Sequence, residues 1–217
     1  MDHADKIKFI LSLIFRSLLV IAATLALFKL DPINLALSLT ALLLTFLPTI
    51  IAKKFKLDYP SEFEIMVLIF VYASIYLGEI HSFYLRFWWW DVFLHALSGV
   101  IIGIIGFSLV YILNRQKKLS MRLTPFFVAL FSFSFAMAIG GLWEVFEFGM
   151  DSFFGFNMQK SGLVDTMWDL ILDAMGALAV SIFGGLYLKG NFRFFERMEK
   201  KFIEKNIGFF RKRPFHK

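Results

Sequence analysis

Ionisable side chains recur at helical spacing along three otherwise apolar stretches of this sequence. Within each stretch the spacing is three or four residues, which places side chains on one face of a helix. Such residues are expensive to keep in an apolar surrounding, so their alignment indicates a functional site. The eight residues, in chain order, are Asp91, His95, Glu144, Glu147, Asp151, Asp165, Asp169 and Asp173.

The chemistry that these side chains indicate is a metal centre. Carboxylates together with imidazole bind divalent cations, here Mg²⁺, Mn²⁺, Ca²⁺ or Zn²⁺, and converging carboxylates without a cation would repel one another. We assign Asp169 and Asp173 the catalytic roles, as ligands of a second ion or as the general base on a metal-bound water. A centre with one metal ion and a centre with two both agree with the sequence. The predicted ligands are Asp91, His95, Glu144, Glu147, Asp151 and Asp165.

Each acid taken singly has a structural explanation. Asp91 and Asp165 stand at the start of apolar segments, where the helix dipole favours a negative charge. A structural or regulatory membrane protein is therefore an alternative. A transporter whose carboxylates bind a proton or a cation is another.

The composition indicates a membrane protein made only of helices. Of 217 residues, 59% are hydrophobic, and the mean hydropathy is +0.69. A helix crosses the hydrocarbon core with about 20 apolar residues. We predict one six-helix domain over residues 1–188. Its spans are 7–28, 34–52, 62–80, 91–113, 125–148 and 165–188.

The basic residues indicate the orientation of the spans. Lys and Arg gather in both terminal tails and in the second and fourth connections, so the positive-inside rule predicts that both termini are cytoplasmic. The net charge of +6 belongs to these flanks, which argues against a nucleic-acid partner. Residues 189–217 are predicted to form a basic amphipathic tail on the anionic membrane surface. The acidic faces then lie in the outer half of the bilayer, joined by Glu79 and His81.

Arg16 interrupts the first predicted span. An unpaired charge at that depth is costly, so we predict that Arg16 pairs with Asp173. Glycines follow the acidic residues at helical steps and mark close helix contacts, so the acidic faces are expected to point into the bundle. These glycines are Gly99, Gly103, Gly106, Gly140, Gly141 and Gly176.

The order of these motifs resembles that of VanZ-like membrane proteins. It is closer still to that of YjdF-like inner-membrane proteins, which have Glu-rich and Trp-Asp motifs in their last two spans. Where VanZ-like proteins carry Gln and Asn, this chain has Glu147 and Asp173. The resemblance covers residues 59–188 and implies a multi-pass protein in the inner membrane of a prokaryote, connected with the cell envelope. The motifs are Asp91-x-x-x-His95, Glu144-x-x-Glu147 and Asp169-x-x-x-Asp173-x-x-Gly176.

Together these features predict a divalent-metal-dependent hydrolase. Its partners would be membrane lipids, and its substrate a lipid or a lipid-linked phosphate or ester at the outer leaflet. The chain contains no cysteine, so the metal ligands would be oxygen and imidazole nitrogen alone.

Overall fold

The computed structural model describes residues 3–55, 60–115, 123–189 and 204, and all the regular structure in these ranges is helical. Within them, six segments are long and apolar enough to cross a membrane, which confirms the predicted fold class. The side that each terminus faces stays a prediction. The tail predicted beyond residue 188 lies almost wholly outside the described residues. The six segments are His3–Phe28, Pro32–Lys54, Ser61–Ile80, Trp89–Tyr111, Pro125–Phe154 and Leu163–Leu188.

The chain divides into two compact units at the boundary between Phe87 and Trp88. Each unit contains three of the six spans. The elements of the first unit are α1 (His3–Phe28), α2 (Pro32–Leu44), α3 (Leu47–Phe55), α4 (Ser61–Val71), a π-helix (Tyr72–Ile80) and α5 (Phe83–Arg86). Those of the second unit are α6 (Trp89–Arg115), α7 (Pro125–Phe154) and α8 (Leu163–Leu188).

The second span, in the first unit, is a broken helix. It starts where Asp31 accepts a hydrogen bond from the backbone N–H of Asn34, with Pro32 in the first turn. The α-helix stops at Leu44 and resumes at Leu47. Pro48 accounts for the break, because its ring clashes with the carbonyl four residues earlier. The backbone of Thr45 is consequently available to side chains of α1.

Glycines set the close packing of the second unit. A Cβ atom at Gly99 would collide with the backbone carbonyl of Asp173, and one at Gly176 would collide with that of Ala96. The helices α6 and α8 therefore approach at backbone distance, as the glycine spacing predicts. Gly140 likewise faces the side chain of Asp173.

Gly141 does not follow this pattern. A Cβ atom there would meet nothing within 4 Å, so its predicted role in a close helix contact is wrong. The reason is geometric: adjacent residues of a helix point about 100° apart, and α7 turns Gly140 toward α8 while Gly141 faces open space.

Candidate functional site

The three helices of the second unit bring five ionisable side chains together in its interior. On α7 the residues between the buried acids, Val145 and Phe146, are exposed, so the acidic face points inward as predicted. The exposed fractions of the five residues are 2% for Asp173, 4% for Glu144, 4% for Asp169, 8% for Glu147 and 9% for His95.

The imidazole of His95 lies among three carboxylates. Its Nε2 atom is 3.8 Å from Asp91 Oδ1 and 3.8 Å from Asp169 Oδ2, and its Nδ1 atom is 3.5 Å from Asp173 Oδ2. The two Nε2 distances are too long for hydrogen bonds. They do suit ligands of one ion, because ligand atoms at about 2.1 Å from a shared ion are roughly 3 to 4 Å apart.

Asp169 belongs to two candidate ligand sets. One set is Asp91, His95 and Asp169, and the other is Glu144, Glu147 and Asp169. Within each set the potential ligand atoms all lie within 4.8 Å of one another. A carboxylate has two oxygen atoms, so Asp169 is able to serve both sets from α8.

The carboxylate of Glu144 is the least satisfied group of the site. Both of its oxygens are buried, and within the described chain neither accepts a well-formed hydrogen bond, although the side chains of Thr166 and Gln159 lie near it. Gln159 and Thr166 line the same cavity as Glu144, but the Gln159 side chain donates to the Thr166 hydroxyl at 2.7 Å. Leaving a buried polar group unsatisfied costs about 1–3 kcal/mol, and more for a charged one. A bound cation would remove this cost, so the residues present fit a metal.

Three residues that the sequence analysis did not assign to the site hold its members in place. The Trp143 indole N–H donates to Glu147 Oε1 at 2.8 Å, and the Ser98 hydroxyl donates to Asp173. Lys160 forms an ion pair with Asp91. Trp143 precedes Glu147 by one helical turn, which is a usable sequence signal. Ser98 contacts a residue of another helix and Lys160 lies in the connection between helices, so spacing along one helix does not reveal either contact.

Two predicted ligands lie outside both sets. Asp151 accepts the backbone N–H groups of Met158 at 2.7 Å and Gln159 at 2.9 Å. Its carboxylate therefore organises the connection that follows α7, and its predicted role as a metal ligand stays a prediction. Asp165 is half-buried in the first turn of α8 and joins neither candidate set.

Replacing Asp151 by Ala is expected to loosen the connection between α7 and α8 without removing bound metal. The change deletes two charge-assisted hydrogen bonds, each worth about 1.5–3 kcal/mol. Hydrogen exchange of residues 155–162 should become faster, while the metal content of the purified protein stays unchanged. Loss of metal with unchanged exchange would restore Asp151 as a ligand.

Glu79 and His81 lie in the first unit, at the end of the π-helix, where the His81 ring meets the edge of Tyr76. Their predicted place beside the acidic cluster stays a prediction.

Arg16 also lies in the first unit and donates to the hydroxyl and the carbonyl of Thr45. Both acceptors belong to the same unit as Arg16, and the predicted pairing of Arg16 with Asp173 of the second unit stays a prediction.

A cavity of about 520 Å³ lies beside the cluster, bordered by α7, α8 and their connection. Its walls are mainly apolar, and the unsatisfied carboxylate of Glu144 is part of its lining. The apolar lining is Val145, Phe148, Leu163 and Leu170.

Comparison with known proteins identifies the chain as a membrane protein. Residues 10–190 match a family described as "Predicted membrane protein (DUF2238)". A relative from Thermotoga maritima, named "Uncharacterized protein", is 29% identical over 153 residues, which cover 70% of this chain and 76% of the relative. No solved structure matches. These matches do not support the resemblance to VanZ-like proteins.

Proposed function

Since the chain belongs to the DUF2238 family of predicted membrane proteins, we propose that it is a metal-dependent hydrolase embedded in a prokaryotic inner membrane. The bacterial relative supports the prokaryotic location, and the family agrees with the closer resemblance, to YjdF-like proteins. The distribution of Lys and Arg supports cytoplasmic termini and a site in the outer half of the bilayer.

The unsatisfied carboxylate of Glu144 carries the metal proposal. Evolved interiors rarely leave a buried carboxylate without a well-formed hydrogen bond, because its desolvation is then not repaid. Here Glu144 belongs to one of two candidate ligand sets, and the two sets share Asp169. We propose that the two sets hold two divalent ions, with Asp169 bound to both.

Each buried residue then has a role of its own. Asp91, His95, Glu144, Glu147 and Asp169 would be ligands, and bound metal would supply an activated water for hydrolysis. Asp173 lies 3.5 Å from His95 Nδ1, where it would orient the imidazole as carboxylates do beside many metal-bound histidines. Trp143 and Ser98 would fix Glu147 and Asp173 through their hydrogen bonds.

The cavity beside Glu144 supports a lipid substrate. Its volume of about 520 Å³ is that of a small-molecule site, and its apolar walls suit an acyl chain. The polar head of such a molecule would meet Glu144 and Thr166. Further along α6 and α7 the interior is filled by Phe107, Val110 and Val128, which favours a closed-ended site over a transport path.

Elemental analysis of the purified full-length protein tests the metal proposal. We expect two divalent ions per chain, and we expect Glu144→Gln to lower that number. Asp31→Asn is the matched control, since it removes a carboxylate from the first unit while Asn still caps α2. The proposal would be wrong if the purified protein contained no divalent metal and a chelator changed neither its folding nor its activity.

Hydrolysis is tested on short-chain phospholipids, lipid phosphates and carboxylic esters in mixed micelles. Turnover of at least one class should stop with chelator and in Glu144→Gln, and should continue in Asp31→Asn. Ion flux into proteoliposomes that requires Glu144, without hydrolysis of any class, would favour the transporter alternative instead.

A further inference from the structure

The cavity beside Glu144 opens on the side of the second unit, between α7 and α8. Three of the side chains that line it are also exposed on the surface of the unit, Val145 by 65%, Phe148 by 61% and Leu163 by 73%. All three are apolar and lie in segments that are long and apolar enough to cross a membrane. Hydrocarbon surrounds such a surface in a bilayer, so a lipid reaches this cavity without crossing water.

Polar and apolar groups line different levels of the cavity. Glu144, Gln159 and Thr166 form the polar level, near the connection between α7 and α8. Gly141 precedes Glu144 by one turn of α7, and Leu170 follows Thr166 by one turn of α8. Both steps lead away from the connection, by roughly 5 Å along each helix. An amphiphile whose head meets the polar level would therefore lay its chain along Gly141 and Leu170.

Gly141 leaves room in the cavity that neither packing nor backbone conformation explains. A Cβ atom there would meet nothing within 4 Å. Gly140 and Gly176 differ, since each lies in close contact with a neighbouring helix, and Gly162 has a positive φ of 65° that favours glycine. Glycine in the middle of a helix is less stable than alanine. The chain therefore carries a cost at position 141, and space in the cavity is what that residue provides.

The carboxylate of Glu144 indicates what kind of molecule occupies this space. The residue is 4% exposed, and neither carboxylate oxygen accepts a well-formed hydrogen bond within the described chain. A hydrocarbon chain alone would leave the carboxylate unsatisfied, and its desolvation would not be repaid. The occupant must therefore bring a polar group to Glu144, directly or through the metal proposed above.

We propose that a lipid enters this cavity sideways from the bilayer, places its head at Glu144 and lays one hydrocarbon chain against Gly141. This inference rests on the hydrolase proposed above, and it names the substrate as a lipid with one chain attached at the reacting head. A chain that moves from the bilayer into the cavity exchanges one apolar surrounding for another, so shape decides which chains fit. The space that one absent side chain leaves is that of a single chain, and a larger residue at position 141 would occupy it.

Photolabelling of the full-length protein in lipid nanodiscs tests the proposal. The probe is lysophosphatidic acid with a photoreactive diazirine near the head end of its acyl chain, and mass spectrometry locates the label. We expect more label at Val145 than at Ile182, which is exposed on α8 but does not line the cavity. In Gly141→Leu the label at Val145 should fall about tenfold or more, because extra methylene groups in an occupied space weaken binding by that order.

Gly149→Leu is the matched control. It makes the same change on α7, at a position that has room for a Cβ atom and does not line the cavity, so the label at Val145 should stay unchanged. Leu170→Trp covers the case in which Gly141→Leu does not fold. It fills the cavity from α8 and should also lower the label at Val145.

Metal content and hydrolysis of the probe are measured on the same preparations, and Gly141→Leu should keep its metal because glycine supplies no ligand. Labelling that depends on Gly141 in a protein without metal would support the lipid site and contradict the hydrolase. Equal labelling of Val145 and Ile182 would overturn the lipid site. So would labelling and turnover that stay unchanged in the folded Gly141→Leu and Leu170→Trp variants, and a metal-loaded, active protein would then leave the hydrolase standing.

Discussion

Asp169→Asn is expected to strip the second unit of both metal ions. Asp169 is the residue that the two candidate ligand sets have in common, and an amide is a much poorer ligand than a carboxylate for a divalent ion. Loss of a direct ligand should lower metal affinity by roughly 100-fold or more, since even outer partners of ligands contribute 10–100-fold. The measurement is metal content after dialysis against a weak chelator.

The matched control lies one helical turn earlier. Asp165→Asn changes the same chemical group on α8, but Asp165 belongs to neither set, so this variant should keep both ions. Glu144→Gln should lose the ion of one set and keep the other. Retention of two ions by Asp169→Asn would contradict the shared-ligand arrangement.

The thermal stability of Asp169→Asn distinguishes a metal centre from an empty cluster. If no ion is bound, removing one of several neighbouring negative charges relieves repulsion and raises the stability. If ions are bound, their loss lowers the melting temperature of the variant, because binding to the folded state stabilises it. The expected result is a lower melting temperature that chelator does not lower further.

Gly176→Ala is expected to give a large loss of stability of the second unit. The added Cβ would overlap the carbonyl oxygen of Ala96 and lie 2.9 Å from the backbone nitrogen of Val100. Backbone atoms of a packed helix cannot move aside as a side chain does. The helices α6 and α8 would have to separate, at a cost of about 3 kcal/mol or more. Thermal unfolding in detergent measures the effect.

Gly141→Ala is the control for this substitution. It makes the same chemical change inside a long helix, but the new Cβ has no atom within 4 Å. Replacing a glycine in the middle of a helix by alanine then stabilises by about 0.5–1 kcal/mol. Equal effects of the two substitutions would show that α6 and α8 are not in backbone contact at Gly176.

Local features of the sequence were sufficient to predict the six spans and the inward direction of the acidic side chains. Hydropathy and length specify a membrane helix because each span must satisfy its own backbone hydrogen bonds. Helical periodicity with the glycines then predicts that Glu144, Glu147, Asp169 and Asp173 point into the bundle, and their burial confirms it. Each of these properties depends on residues within a few turns of one helix.

The arrangement of the site depended on contacts between distant segments. The sharing of Asp169, the ion pair of Lys160 with Asp91 and the hydrogen bond of Ser98 to Asp173 each join two elements. Spacing along one helix says which face a side chain occupies, but not which neighbour comes within 4 Å of it. For that reason spacing alone did not predict that Asp151 accepts hydrogen bonds from the backbone that follows α7. The packing of α6, α7 and α8 through their glycines determines which acids meet, and it exists only once the helices have assembled.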